Sequence, residues 1–149
     1  MRFSSRTDYA LRAMLELAAH GEGSMTTAEL GKVQHIPANY LGAVLADLRR
    51  AGLVKARRGP DGGWSLARAA SAISFADVIR AIDGTLVNVA GTRPEKLSYP
   101  GSAAGLKTAL IAVRAAEREV LESISLADGV SETFPVSVER LLANPNAWH

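Results

Sequence analysis

The sequence contains no cysteine. That absence removes disulfides, thiolate metal ligands and cysteine nucleophiles together. Histidine is nearly as scarce, with three in 149 residues, and His20, His35 and His149 lie too far apart to suggest a paired-His metal site. No run of about 18 apolar residues is present, and no apolar segment follows an N-terminal positive cluster. No membrane association is therefore expected, and the expected location is the cytoplasm. Aromatic residues make up 5% of the chain against 48% hydrophobic residues, so the apolar content rests largely on alanine and leucine, which favours helix over strand. Nucleophile elbows and metal-ligand spacings are also missing. No catalytic residue and no metal ligand is assigned, and the chain is not read as an enzyme.

Charge is present but unevenly placed. Residues 1–70 hold ten Lys/Arg and six Asp/Glu, a net +4, while residues 71–149 hold seven and nine, a net −2. The basic half is where an anionic partner would dock.

Local signals predict a string of helices. Residues 5–19 open with Ser5-x-x-Asp8, a capping-box pattern, and place Leu11, Met14, Leu15 and Ala18 on one face. A second helix starts at Thr26 with Glu29 three residues on and runs to about Val33. Only a few residues separate it from a third, which has Pro37 in its first turn and runs to Ala51. Helices joined so tightly must cross steeply. The apolar set Leu41, Val44, Leu45 and Leu48 leaves Ala38, Asn39, Gly42, Ala43 and Ala46 on the other side, with Arg49 and Arg50 at the far end. So small a face suits either close approach to another surface or burial on two sides.

The stretch RRGPDGGWSL (57–66) is the tip and return strand of a β-hairpin spanning 53–66. Pro60 and Asp61 make the bend, and Gly59, Gly62 and Gly63 supply permissive backbone. Neither GxxxxGK[ST] nor GxGxxG is present and a strand follows rather than a helix N-terminus, so a nucleotide-phosphate loop is not supported. The tip carries Arg57 and Arg58 as projecting cations.

A fourth helix, FADVIRAI, is capped by Ser74 with Asp77 near its start and Gly84 at its stop. Residues 85–104 form a long loop rich in Gly, Pro, Ser and Thr. A fifth helix is predicted from about Ala104 to Leu126. Its apolar positions Leu106, Leu110, Val113, Val120, Leu121 and Ile124 form a seam interrupted by Glu117, which suits either a second copy or packing across its own domain. The tail, with SVERLL as a last turn or two, says little.

Three tight helices followed by a hairpin with a basic tip make a winged helix-turn-helix. Four segments then carry a resemblance: TDYALRA (7–13), ANYLGAVLADLRRAGLVKARRGPDGGW (38–64), FADVIRAIDG (75–84) and LESISLAD (121–128). Over roughly residues 1–130 the chain resembles the Rrf-two family of bacterial regulators. The implied fold is mainly α: a winged helix-turn-helix domain with a two-stranded β-wing over 1–84, a loop over 85–104, and a dimerisation helix with its tail over 105–149.

The resemblance implies a homodimeric transcriptional regulator that reads a palindromic site on double-stranded DNA, with the third helix in the major groove and the wing in the adjacent minor groove. Carried onto this chain, Ala38, Asn39 and Tyr40 open the reading helix, and Arg57, Arg58, Gly59, Gly62 and Gly63 form the wing. Asn39 suits an adenine edge, Arg58 a narrow minor groove, and Arg49, Arg50 and Lys55 phosphates. Tyr40 contacts either a phosphate or the core beside Leu41.

Two departures stand out. Gly42 occupies a place where relatives often carry an acid, and the 85–105 loop has none of the cysteines that hold an iron–sulfur cluster in cluster-binding relatives. Asp8, in a region some relatives use for a non-cysteine ligand, is read as a helix-capping residue. The chain thus resembles the cysteine-free branch, no iron–sulfur cluster is expected, and a small-molecule or protein effector is left unassigned. The rival reading is a protein-interaction regulator of the same fold whose DNA binding is weak.

Overall fold

A computed structural model of the protein describes residues 2–149. The described residues form seven helices and a small hairpin: α1 (Ser5–His20), α2 (Thr27–Gln34), α3 (Ala38–Arg50), β1 (Val54–Arg57), β2 (Gly63–Leu66), α4 (Phe75–Asp83), α5 (Leu106–Ser123), α6 (Leu126–Ser131) and α7 (Val136–Leu142). Short 3-10 turns occupy Ala70–Ala72, Pro94–Lys96, Gly101–Ala103 and Pro145–Trp148.

Side-chain caps set the starts of α1, α2, α4 and α6. The predicted boxes at Thr26/Glu29 and Ser74/Asp77 are both complete, each hydroxyl accepting from the third helical N–H and each acid accepting from the cap N–H. At α1 the cap is Ser4, one residue earlier than expected, and its Oγ accepts from the Thr7 N–H. Asp8 is therefore not part of a box with Ser5. It pairs instead with Arg12 one turn on. The buried face of α1 shifts accordingly to Ala10, Ala13, Met14 and Leu17, with Leu11, Leu15 and Ala18 only partly covered.

The turn between α2 and α3 is as tight as the sequence implied. His35 adopts the left-handed conformation at φ 54°, and the Ile36 N–H bonds the Gly31 carbonyl at 2.9 Å. A Cβ on Gly31 would lie 2.6 Å from the Ile36 carbonyl, so only glycine lets the backbone pass this closely. Pro37 caps α3 from just outside its first turn. The helix ends in a Schellman arrangement, with Gly52 N–H on the Arg49 carbonyl and Leu53 N–H on that of Leu48.

Leu41, Val44, Leu45 and Leu48 are buried as their spacing required, alongside Met14, Leu30 and Ile73. Burying one such leucine removes roughly 1.5–3 kcal/mol worth of apolar surface from water.

The hairpin pairs Val54 with Leu66, Lys55 with Ser65, Ala56 with Trp64 and Arg57 with Gly63. A third segment joins it: Met25, just before α2, bonds Trp64 in both directions at 3.0 and 2.7 Å, and the Trp64 indole donates to Thr27 Oγ1 at 3.0 Å. These bonds fasten the wing to the start of α2.

The largest departure from expectation is at the fifth helix. It runs from Leu106 only to Ser123, Ile124 is extended, and Ser125 with Asp128 makes a third capping box that starts α6. Leu126 of α6 is fully buried in the same core as α1 and α3. The division at residue 84 therefore does not separate two cores.

Gly63 should be harder to replace than Gly59, because its φ is 146° and an added Cβ would meet the Met25 carbonyl at 2.6 Å. Gly59 has φ 105° with open space around it. In urea unfolding, Gly63→Ala is expected to lose about 2 kcal/mol or more and Gly59→Ala about 1 kcal/mol. Equal losses would show that the Met25 contact does not constrain this position.

Candidate nucleic-acid interface

With Leu41, Val44, Leu45 and Leu48 turned inward, α3 has a free opposite face. Asn39, Ala43, Ala46 and Arg50 recur at spacings of 4, 3 and 4 along its centre, flanked by Ala38, Gly42 and Arg49. Ala38, Asn39, Ala43, Arg49 and Arg50 are exposed while Gly42 and Ala46 are half-buried. Burial on two sides is thereby excluded for this chain. Tyr40 is 61% exposed, so its side chain is not the core contact beside Leu41 that remained open in the sequence.

Electrostatics separates the cations of this region into two kinds. Arg50 and Arg6 both bond the Asp47 carboxylate, so part of their charge is already answered. Arg49, Lys55, Arg57 and Arg58 have no ion-pair partner among the described residues. Arg57 and Arg58 lead into a tight turn in which the Gly62 N–H bonds the Gly59 carbonyl at 2.9 Å. A Cβ on Gly62 would sit 2.4 Å from the Arg57 carbonyl, so glycine keeps the tip narrow. The Ser24 hydroxyl donates to the Asp61 carbonyl at 3.0 Å, tying the tip to the segment before α2. The wing is consequently fastened to the segment that leads into α2. The Met25–Trp64 pairing that does this escaped sequence reasoning, for a single bridging residue has no periodicity, although a buried-type Trp beside Gly63 was a signal of close packing.

The predicted dimer seam is only partly free. Leu121 and Ile124 are 7% and 8% exposed within their own chain; Leu121 packs with Ala76 and Ile79 of α4, and Ile124 lies beyond the end of α5 with its carbonyl accepting from the Phe75 N–H. These two are corrected from seam to core. Leu110 is half-buried. What faces outward is Leu106, Ala109, Val113 and Ala116, with half-buried Val120 completing the stripe beside α7, at spacings of 3, 4, 3 and 4 without a charge between them. Leu121 is the one buried residue of α5 among the described residues.

The 85–104 segment contains two 3-10 turns and a Val89–Thr92 bridge. Its donors are unsuited to iron or an iron–sulfur cluster: cysteine and histidine are absent, and its one carboxylate, Glu95, is bonded by Arg114. No group of three or more metal-capable side chains occurs among the described residues, and no described helix is long and apolar enough to cross a membrane.

Comparison with known proteins agrees with this architecture. The family model Rrf2, described as an iron-dependent transcriptional regulator, matches residues 3–132. A Mycobacterium tuberculosis protein named as an HTH-type transcriptional regulator is 40% identical over 142 residues, 95% of this chain and 88% of its own length. CymR of Bacillus subtilis is 34% identical over 134 residues, 89% of this chain and 92% of its own. The solved structure of CymR, the global cysteine regulator of B. subtilis, superposes with TM-score 0.74 over 89% of this chain and 98% of that one. IscR of T. potens gives TM-score 0.71 at 31% identity over 100% and 97%. A free helix face beside a basic wing, on a mainly helical winged fold shared with these regulators, establishes the chain as a member of the Rrf2 family of DNA-binding transcriptional regulators.

Proposed function

We propose that the protein is a homodimer that reads a two-fold symmetric operator, α3 entering the major groove and the wing the adjacent minor groove, and that it does so without an iron–sulfur cluster. One observation carries the reading. The side of α3 turned away from the core is small, open and continuous with cations that the protein itself leaves unpaired.

Each feature has a use in that geometry. Alanines and Gly42 on the α3 face allow the helix axis to approach base edges, where a long charged side chain would hold it off. Asn39 has the donor and acceptor pattern of an adenine edge. Arg58 suits the strong negative potential of a narrow minor groove, and Arg49, Lys55 and Arg57 suit phosphates, with Arg50 joining them once released from Asp47. The absence of an acid at Gly42 removes one means of rejecting wrong bases. The donor set of residues 85–104 supports a cluster-free regulator, and occupation of an operator by a dimer supports repression through exclusion of other proteins.

Dimerisation supplies the two-fold axis. The uncharged Leu106–Ala109–Val113–Ala116–Val120 stripe supports a partner helix from a second copy. Dimeric helix-turn-helix proteins bind half-sites about one helical turn apart, and that is the spacing expected of this operator.

A second reading, a regulator acting through a protein partner, is favoured by the same small neutral α3 face. Salt separates the two, because phosphate neutralisation makes affinity fall steeply with ionic strength and an apolar protein interface does not.

Selection from a random duplex pool at low and moderate salt is expected to recover an inverted repeat, and recovery of salt-labile, sequence-blind binding alone would overturn operator reading. Against the recovered site, Asn39→Ala should relax base choice at one position per half-site by about 1–3 kcal/mol. An unaltered preference there would make Asn39 scaffold. Arg58→Ala should reduce the slope of log affinity against log salt by about 1, measured by fluorescence anisotropy, and an unchanged slope would take the wing tip off the DNA. Val113→Asp, at a position 50% exposed in the single chain, should shift the protein to monomer in sedimentation while leaving its helical circular dichroism intact. A persisting dimer would move the interface elsewhere.

A further inference from the structure

Residues 71–149 carry a net negative charge, yet four of their seven cations meet in one place. Arg80 of α4, Arg93 before the Pro94–Lys96 turn, and Arg114 and Arg118 of α5 line a cleft of about 340 Å³. Two carboxylates stand among them, and each is shared. Glu95 is bonded by Arg114 and lies 4.0 Å from Arg93. Glu122 accepts from Arg118 Nε at 3.1 Å and also from Arg80. Four guanidinium groups against two carboxylates leave the cleft with a formal +2.

No carboxylate other than Glu95 and Glu122 lines the cleft. A guanidinium presents five N–H donors, whereas Arg80, Arg114 and Arg118 each use one on a carboxylate here and Arg93 makes only the long contact. Most of the donors lining the cleft are therefore unused. Its remaining walls are the side chains of Thr85, which offers a hydroxyl, and half-buried Leu86, which offers an apolar surface. None of the lining residues belongs to α3 or the wing, and the interspersed carboxylates would repel a continuous phosphate backbone at this spot. A compact ligand with two negative charges meets both conditions.

We propose that this cleft binds a small organic dianion, a dicarboxylate or a phosphomonoester, held by paired guanidinium forks. Arg114, 22% exposed, is the most enclosed of the four and forms the floor with Arg80; Arg93 and Arg118 close on the ligand from the two sides. Charge-assisted, bidentate bonds of this kind give both strength and orientation. The carboxyl of Glu95 is held below its usual range by its own backbone amide and by Arg114, and that of Glu122 by Arg80 and then Arg118. Both acids therefore stay ionised near neutral pH and keep the arginines apart in position to receive an anion.

The cleft joins α4, which packs on the winged body, to α5 and the 85–104 segment. A bound dianion would tie the three together, which is the geometry of a signal input. That regulatory use rests on the operator reading proposed above, so the ligand site is tested without DNA and the two can fail separately.

The test is isothermal titration of the full-length protein with inorganic phosphate and, in parallel, with succinate, ionic strength held constant with sodium chloride. Saturable binding of at least one probe at one per chain is expected. The tighter probe distinguishes a phosphate ligand from a dicarboxylate. In the double variant Arg93→Ala/Arg118→Ala the affinity should fall about tenfold or more, whereas Arg140→Ala, outside the cleft, should match the parent. Should the double variant fold poorly, Arg118→Lys keeps the charge, removes the fork, and is expected to weaken binding several-fold. Absence of saturable binding by both probes, or equal affinity in parent and cleft variants, would overturn the site.

Discussion

A short antiparallel pairing between residues 73–75 and 124–126 is the constraint on which the rest of this molecule depends. The Phe75 N–H bonds the Ile124 carbonyl and the Leu126 N–H bonds the Ile73 carbonyl, both at 2.9 Å, with Ser74 facing Ser125. Each serine starts a helix through the same motif, ISFAD for α4 and ISLAD for α6. The pairing satisfies backbone groups that two adjacent helix starts would otherwise leave open. It also stops α5 at Ser123, turns Leu126 into the core, and sets Leu121 against α4. The dimerisation helix proposed for this chain is thus anchored at one end to the body that contains α3.

The consequence for α5 is an uneven helix. Its last turn is fastened, while along its length one side carries uncharged Leu, Ala and Val and another carries Arg114 and Arg118, which bond Glu95 and Glu122. Two partners on two faces are what such a helix can serve: a second copy on the apolar stripe and an anion on the basic one. The same element reaches the winged body through the paired serines.

Legibility in the sequence followed the range of the interaction. Hydroxyl caps with an acid three residues on marked the starts of α2 and α4, and the spacing of Leu41, Val44, Leu45 and Leu48 marked the inner face of α3, since these signals act within about one helical turn. The same rule placed the start of α1 one residue late, because Ser4 and Ser5 are chemically alike and only the chain direction entering the helix selects between them. The Ser125–Asp128 box was present but lay inside a long apolar pattern that continued across it. Helical periodicity alone could not show the break, because the pattern of residues 106–126 is compatible with one uninterrupted helix until Ile124 finds its backbone partner in Phe75, far back in the chain.

By itself the sequence determined the starts of α2 and α4, the inner face of α3, the wing with its glycine-dependent tip and the lack of cysteine ligands, because each follows from residue type and short spacing. Only the tertiary structure decided which apolar residues of α5 belong to the protein's own core, how Met25 locks the wing, and that Arg80, Arg93, Arg114 and Arg118 share one cleft. Those outcomes depend on segments far apart in the chain being brought together. No local pattern encodes the distance between them; close packing of the folded core does.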